Sequence, residues 1–459
     1  MTLSDAEEQL LKRVYQQTEP FEPVEQTDPK YTPIYEKPPY SDQDPILPLR
    51  RGIEFSPAGS LQLFSGFRGT GKTTQLFRLR RQLQSLKDKG VPRYCVLYAN
   101  ALEYLPPSEP LEISEVLMVL AGAFSDALEN ELGDDHARES YWTRIKNRLL
   151  NTRVELTEAG VKTADWLSSL GVEVDLKLSL QKDPSFRQQL RRHLAAGYGQ
   201  RLSDVEQFVE EGVKAIKAKH GDSVEVVYIF DSLEQMRGSS FNAQEVIQSL
   251  DRVFSGSLWD LRFPSLHAIY TAPPWLKFTL PGAPLTLLPS IRLWKNEAAR
   301  PRDLDGVHVM RHVLLRRLKE DGLLKLFQDE AATVDDDGQW TVDRLIELSG
   351  GDFRELFRLI RECVLRAREL PITKPVIDEA ISAVRRTFLP LPESEIPWLK
   401  QIAETRANPL SDREAETVQR LTRALDTHVL FYFTNGDDWY DVHPLIRDEV
   451  MRRSDGSPS

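Results

Sequence analysis

A glycine-rich octapeptide at residues 66–73 constrains the fold of this chain more than any other feature. It reads Gly-Phe-Arg-Gly-Thr-Gly-Lys-Thr and satisfies every fixed position of the pattern G-x-x-x-x-G-K-[ST]. An apolar segment, residues 61–65, precedes it, and a helical pattern, residues 73–86, follows it. Glycines let backbone N–H groups turn toward phosphate oxygens, and the helix N-terminus adds partial positive charge. The octapeptide therefore predicts a phosphate-binding loop between the first strand and the first helix of an α/β domain.

The residues of this loop have distinct expected roles. Lys72 is expected to reach the β- and γ-phosphates of a nucleotide, and the Thr73 hydroxyl is expected to ligate Mg²⁺. The expected cofactors are ATP or ADP and Mg²⁺. The nucleotide contacts are predicted to come from Gly66, Phe67, Arg68, Gly69, Thr70, Gly71, Lys72, Thr73 and Thr74.

Polar residues that follow two later apolar strands are the other candidates for this site. Asp231 ends the run Val-Val-Tyr-Ile-Phe at 226–230, so we expect it to hold Mg²⁺ together with Thr73. Glu234 is the candidate for orienting the attacking water, and the alternative is a solvated carboxylate at a helix start. Thr271 is a candidate γ-phosphate sensor, and the alternative is a core strand that the following prolines end.

Strands alternate with helices from residue 52 onward, which is typical of a parallel sheet. The predicted strands cover residues 61–65, 94–99, 224–230, 267–271 and 285–288. The predicted fold class is α/β, a P-loop NTPase sheet with strand order 5-1-4-3-2 and a long helical insertion at about 113–220. Within the insertion, alternating apolar residues at 172–180 suggest a hairpin arm.

The predicted domains are an N-terminal arm (1–50), the NTPase domain (51–304), an all-helical lid (305–388) and a winged-helix-like domain (389–459). Prolines and tyrosines in the arm leave two alternatives open, an extended arm laid on the next domain and a disordered tail. In the last domain, apolar strands at 428–433 and 439–442 flank Asn435-Gly436, a pair typical of hairpin turns.

Composition narrows the possible partners and compartments. The net charge is −11 and the pI is about 5.4, which disfavours non-specific binding to nucleic acid. Cys95 and Cys363 are the only cysteines, so a disulfide framework and a cysteine-based zinc cluster are excluded. No apolar run is long enough for a membrane span, and residues 1–20 do not form a signal peptide. We therefore expect a soluble, cytoplasmic protein.

The order of these motifs resembles that of the AAA+ and STAND ATPases. Residues 350–354, Gly-Gly-Asp-Phe-Arg, resemble the AAA+ lid, in which an arginine at the position of Arg354 reaches the γ-phosphate. Pairing of Arg354 with acidic neighbours on its helix is the alternative. Asp231-Ser232-Leu233-Glu234 resembles the STAND pattern D-x-x-D/E and departs from the D-E pair of AAA+ proteins.

Residues 442–448, Val-His-Pro-Leu-Ile-Arg-Asp, resemble the Met-His-Asp motif of the STAND winged helix. The resemblance implies that His443 contacts the β-phosphate of ADP and holds a closed state. Pro444 stands in place of the motif's aspartate, which puts the domain lock of that residue in doubt. A histidine that packs at a strand–helix junction is the alternative.

The resemblance implies a slowly hydrolysing, ATP-binding switch whose nucleotide state controls domain arrangement and a protein partner, as in signalling or defence. A nucleotide-dependent homo-oligomer is compatible with it. No arginine occurs at residues 275–285, which weighs against hydrolysis in trans within a ring. The alternatives are a DNA-associated AAA+ ATPase, such as a loader or a transposition or replication helper, and a non-hydrolysing scaffold. The acidic wing at 435–438 disfavours DNA.

Overall fold

The computed structural model of the chain describes residues 3–57, 59–133, 140–145, 176–195, 198–239, 241–327, 341–410, 414–434 and 437–453. The chain divides into two compact units. The P-loop unit comprises Met1–Pro45, Gly66–Arg78 and Leu287–Ser459, and the sheet unit comprises Ile46–Ser65 and Leu79–Thr286. The domain boundaries at residues 50, 304 and 388 stay a prediction. None of the described helices is long and apolar enough to cross a bilayer.

The main sheet has five strands in the order β4–β5–β6–β1–β7. The pairs β4–β5, β5–β6 and β6–β1 are parallel. This order is 5-1-4-3-2 when the five predicted strands are numbered along the chain, so the predicted sheet and fold class are confirmed. The strands are β1 (Leu61–Gly66), β4 (Tyr94–Asn100), β5 (Glu225–Asp231), β6 (His267–Ala272) and β7 (Leu285–Leu288), and a small antiparallel pair is formed by β2 (Lys87–Asp88) and β3 (Val91–Pro92).

The sheet unit has one large apolar core. β5 and β6 are apolar along most of their length because covered parallel strands are buried on both faces. The long helix α4 (Ile113–Leu132) packs against β4 and against helix α7 (Tyr198–His220), and it is buried on most sides. The helices of this unit are α2 (Ile46–Glu54), the second half of α3 (Lys72–Ser85), α4 (Ile113–Leu132), α5 (Leu176–Lys182), α6 (Pro184–Ala195), α7 (Tyr198–His220), α8 (Ala243–Asp251) and α9 (Leu276–Thr279).

The hairpin arm predicted at 172–180 is wrong for its described part, because α5 begins at Leu176. Residues 172–175 lie outside the described residues. Leu176 and Leu180 are buried while Leu178 is 47% exposed. Positions i and i+4 therefore face the core, as on one face of a helix, while the leucine between them points away from it.

The P-loop unit contains the arm, the loop and the lid. α1 (Asp5–Gln17) starts at a capping box formed by Ser4 and Glu7. It packs against two lid helices, α10 (Leu304–Phe327) and α12 (Phe353–Arg366). The following residues form turns, in which Val24, Tyr35 and Tyr40 are buried. The lid helices are α10 (Leu304–Phe327, broken at Lys319), α11 (Thr341–Leu348), α12 (Phe353–Arg366) and α13 (Lys374–Arg386).

The C-terminal part of this unit, called here the terminal module, has a winged-helix-like order. It consists of α14 (Ile396–Thr405), α15 (Ala415–Asp426), β8 (Leu430–Thr434), β9 (Asp438–Val442) and α16 (Pro444–Arg453). β8 and β9 form the predicted antiparallel hairpin, with Phe433 stacked on Trp439. Its turn, residues 435–436, lies outside the described residues.

Candidate nucleotide-binding site

The glycine-rich loop is closed around the Lys72 side chain. Lys72 Nζ donates hydrogen bonds to the carbonyl oxygens of Gly66 (2.9 Å) and Phe67 (3.0 Å). Thr70 Oγ1 donates to the same Phe67 carbonyl (2.8 Å). α3 begins at Lys72, so the N-terminal end of this helix directly follows the loop, at the expected phosphate position. The sequence predicted this local geometry because all of its parts are contiguous.

The lid holds the tip of the loop at Gly69. Phe353 N–H donates to the Gly69 carbonyl oxygen (3.3 Å). The Asp352 carboxylate lies so close that a Cβ on Gly69 would stand 2.1 Å from Asp352 Oδ1. Gly69 also has φ +76°, a conformation that favours glycine. Two independent constraints therefore require glycine at this position, and one of them comes from a residue nearly three hundred positions away.

The N-terminal arm reaches two of the predicted site residues. Val24 N–H donates to Thr74 Oγ1 (3.2 Å), beside the predicted metal ligand Thr73. Arg354 Nε donates to the Pro20 carbonyl oxygen (3.4 Å), and its guanidinium lies 4.6 Å from the centre of the Phe21 ring. In this conformation Arg354 is bound to the arm, and its γ-phosphate role stays a prediction.

Asp231 is fully buried at the end of β5 and has two hydrogen-bond donors. Tyr98 Oη donates to Asp231 Oδ2 (2.9 Å), and Ser232 N–H donates to Asp231 Oδ1 (2.7 Å). Ser232 itself has φ +75°, which turns the chain sharply after the strand. The carboxylate is thereby held in one orientation at the carboxyl edge of the sheet.

Thr271 and Glu234 lie on the same edge of the sheet unit. Leu233 N–H donates to Thr271 Oγ1 (3.0 Å), so β6 supports the turn that follows Asp231. Glu234 lies on a short 3₁₀ turn, Leu233–Gln235, and is 6% exposed. β6 pairs with β5 on one side and with β1, which runs into the loop, on the other. The sensor role of Thr271 and the water-orienting role of Glu234 stay predictions.

The strand order and the loop together decide the fold. The fold is that of a P-loop NTPase. Its α/β sheet carries the loop directly after β1, as the sequence predicted.

A buried pair of side chains, within hydrogen-bond distance of each other, connects the lid to the terminal module. His428 Nδ1 lies 3.2 Å from Glu355 Oε1, and both side chains are 7% exposed. Burial by itself raises the pKa of Glu355, but the hydrogen bond with His428 and the charge of Arg358 outweigh it, so this pKa is lowered. Burial raises the pKa of Asp352, one turn earlier on α12. The charge state of this helix start therefore depends on the terminal module.

His443 is fully buried close to Glu355 and His428. Its Nδ1 accepts a hydrogen bond from Leu445 N–H (3.1 Å), and its ring packs on Phe388 and Phe431 at 4.5 and 5.0 Å between centres. Burial lowers the pKa of His443 to about 3, so the ring is neutral at pH 7. In this conformation His443 lies in the packed interior of the P-loop unit, and its ADP contact stays a prediction.

Sequence reasoning missed Tyr98, the contact of Asp352 with Gly69, and the Glu355–His428 pair. Tyr98 carried a weak signal, because it lies near the end of the strand predicted to pair with the Asp231 strand. No signal in the sequence linked Glu355 with His428, which are far apart in the chain.

The fold assignment rests on the strand order and the loop, and the comparison with known proteins does not change it. Neither a protein-family model nor a characterised protein matches the sequence. Two solved structures of the Aeropyrum pernix ORC2 protein, ADPNP–ADP complexes and the ADP form, are 12% and 11% identical to it, with TM-scores of 0.34 and 0.37. Each covers 97% of this chain and 99% of its own. These values are too low to support a family or a function.

Proposed function

We propose that the chain is a Mg²⁺-dependent, slowly hydrolysing ATPase of the AAA+ type that acts as a nucleotide-controlled switch. The observation that carries the proposal is a continuous connection inside the P-loop unit. Asp352 and Phe353 contact the loop at Gly69, and Glu355 on the same helix pairs with His428 of the terminal module. A change at the loop is thereby transmitted to the terminal module through a single helix start.

The loop residues bind the phosphates in this proposal. Backbone N–H groups of the loop and of the start of α3 surround the phosphate oxygens, and Lys72 exchanges its carbonyl partners for the β- and γ-phosphates. Thr73 and Asp231 offer a hydroxyl and a carboxylate, hard oxygen donors that suit Mg²⁺. When bound, Mg²⁺ neutralises charge that develops on the phosphate oxygens. Hydrogen bonds from Tyr98 and Ser232 keep the Asp231 carboxylate oriented for this role.

Slow turnover follows from the residues after Asp231. Ser232 occupies the position at which many such ATPases carry a glutamate, so the nearest carboxylate for orienting water is Glu234 on the following 3₁₀ turn. Arg354 is held by Pro20 and Phe21 of the arm in this conformation. Its release toward the γ-phosphate requires the arm to give up both contacts.

The structure favours a modified role for His443. Because the ring is buried behind Glu355, we propose that it influences the nucleotide through Glu355 and Asp352 and makes no direct phosphate contact in this state. ATP and ADP can shift the terminal module only by binding its two placements with different affinity. The bound nucleotide therefore determines which placement of the terminal module a protein partner meets.

Three variants test the proposal by calorimetric nucleotide binding and by Mg²⁺-dependent phosphate release. Lys72→Ala should lose nucleotide affinity, whereas Glu234→Gln should bind ATP normally and lose turnover. Lys87→Ala, an exposed lysine on β2, is the matched control and should behave as wild type. Wild-type affinity for ATP in Lys72→Ala would refute nucleotide binding by the loop. Equal background turnover in all proteins would leave a binding scaffold.

Light scattering with ADP and with a non-hydrolysable ATP analogue tests the switch itself. A change of mass or of hydrodynamic radius between the two nucleotides is expected. Identical values with both nucleotides, together with identical protease sensitivity of the terminal module, would contradict a switch.

A DNA-associated AAA+ ATPase remains the second candidate, because the helix–helix–hairpin order of the terminal module is also that of DNA-binding winged helices. Arg420 on α15 is paired with Glu395 at 2.7 Å and stacked 4.3 Å from the Trp398 ring centre, so Arg423 is the better probe. Salt-dependent DNA binding in an electrophoretic shift assay that weakens in Arg423→Ala would favour this candidate.

A further inference from the structure

Three metal-ligating side chains meet at one end of the sheet unit, apart from the loop. The Cys95 sulfur, a Glu131 carboxylate oxygen and a His220 ring nitrogen all lie within 4.8 Å of one another. They come from the second residue of β4, the last turn of α4 and the last residue of α7. The sequence excluded a cysteine-based zinc cluster because the chain has two cysteines, and this mixed set of ligands uses a single one.

We propose that Cys95, Glu131 and His220 bind a divalent cation of the zinc class, with a fourth position open to water. Thiolate, imidazole and carboxylate are the ligands that Zn²⁺ takes in proteins, at about 2.0–2.3 Å. Tetrahedral geometry at those lengths places the ligand atoms about 3.3–3.6 Å apart. The observed separations therefore require only small side-chain movements.

Two of the ligand atoms have no hydrogen bond that would explain their position. Cys95 is 8% exposed, and its thiol makes no hydrogen bond with any described residue. His220 Nε2 is buried and lies 2.9 Å from Glu131 Oε1, but it forms no well-aligned hydrogen bond with a described residue. The position of these two atoms is therefore not explained by a hydrogen bond between them.

The backbone around the three side chains favours a cation. α4 and α7 both end here, and helix C-termini carry partial negative charge. Lys219 Nζ donates to the carbonyl oxygen of Glu131 (2.6 Å) and approaches that of Leu132 (3.5 Å). The Lys219 ammonium group therefore caps the end of α4. Arg80 is the other basic group near the thiol.

Binding must displace the thiol proton. Burial, with a further contribution from Glu131, raises the pKa of the Cys95 thiol to about 12. The step is Cys–SH + M²⁺ → Cys–S–M⁺ + H⁺, so one proton is released to solvent for each ion bound. Affinity should therefore rise with pH. The bound ion would tie the ends of α4 and α7 to β4 and would stabilise the sheet unit, whatever the loop binds.

The test is a titration of the full chain with Co²⁺, a zinc surrogate, followed by thiolate-to-cobalt charge-transfer absorption. Wild type should develop the band, and added Zn²⁺ should remove it. Cys363→Ala removes the other buried cysteine, on α12, and should retain the band. Cys95→Ser should lose it. Glu131→Gln and His220→Gln should weaken binding by on the order of tenfold or more, since loss of an outer-shell partner alone costs about that much.

The absence of a band in wild type, or an equal band in Cys95→Ser, would overturn the proposal. Glu131→Gln and His220→Gln keep the buried sulfur, so they test the site even if Cys95→Ser fails to fold. Unchanged Co²⁺ affinity in both would also overturn it. No nucleotide is added in this experiment, so its outcome is independent of the ATPase proposal.

Discussion

Replacement of Tyr98 by phenylalanine should weaken the metal site without touching a residue that binds the nucleotide. Tyr98 Oη is one of the two donors to the buried Asp231 carboxylate, at 2.9 Å from Oδ2. The substitution removes this donor and keeps the ring, while Ser232 N–H still donates to Oδ1. Asp231 Oδ2 then lacks the Tyr98 hydrogen bond, so the carboxylate is held less firmly in the orientation that suits Mg²⁺.

The expected magnitude follows from the charge on the acceptor. A hydrogen bond to a charged group contributes about 1.5–3 kcal/mol, which corresponds to roughly a tenfold to hundredfold change in an equilibrium constant. Loss of an outer-shell partner of a metal ligand has an effect of about the same size on metal affinity. We therefore expect the Mg²⁺ concentration for half-maximal ATPase activity to rise by roughly tenfold to a hundredfold.

Phosphate release measured across a Mg²⁺ titration is the assay, with Tyr94→Phe as the matched control. Tyr94 lies on the same strand and is 2% exposed, and its hydroxyl has no hydrogen-bond partner among the described residues. Its loss should leave the Mg²⁺ dependence within about twofold of wild type, because no hydrogen bond is removed. If Tyr98→Phe and Tyr94→Phe show the same Mg²⁺ dependence, the positioning role of Tyr98 is refuted.

Three further changes test the path from the loop to the terminal module. Gly69→Ala should lower both nucleotide affinity and the free energy of unfolding by more than Gly90→Ala, since both carry the left-handed backbone cost of about 1–2 kcal/mol but only Gly69 meets Asp352. Glu355→Gln should lose about 1–3 kcal/mol of stability at pH 7 by denaturant unfolding. Because the pKa of Glu355 is lowered in the folded state, this difference should vanish as the pH falls below 4.5 and the carboxylate protonates. Wild type should lose stability on acidification, because the pKa of His443 falls from 6.5 to about 3 on folding and the unfolded chain binds the extra proton between these values. His443→Asn should remove this loss. By pH 5 wild type should lose about 2 kcal/mol relative to this variant, and exposed His308→Asn should keep the wild-type slope.

The sequence alone determined the features whose parts are contiguous. The phosphate loop at 66–73 and the five strands follow from local spacing and from apolar runs of strand length, and the strand order followed from the expected fold. Asp231 was found because it ends such a run. The hairpin arm predicted at 172–180 was wrong over 176–180, because Leu176 and Leu180 alternate in the sequence but are also four residues apart and share one helix face, so that packing had to decide.

Tertiary structure decided which distant residues meet, because side-chain contacts between separate elements leave no periodic trace in a sequence. Tyr98 reaches Asp231 only because β4 and β5 are neighbours in register. Asp352 lies on Gly69, and Glu355 meets His428, only once the lid and the terminal module have packed. The chain's contiguous motifs thus predict the phosphate site, while the connections that make this site a candidate switch exist only in the folded molecule.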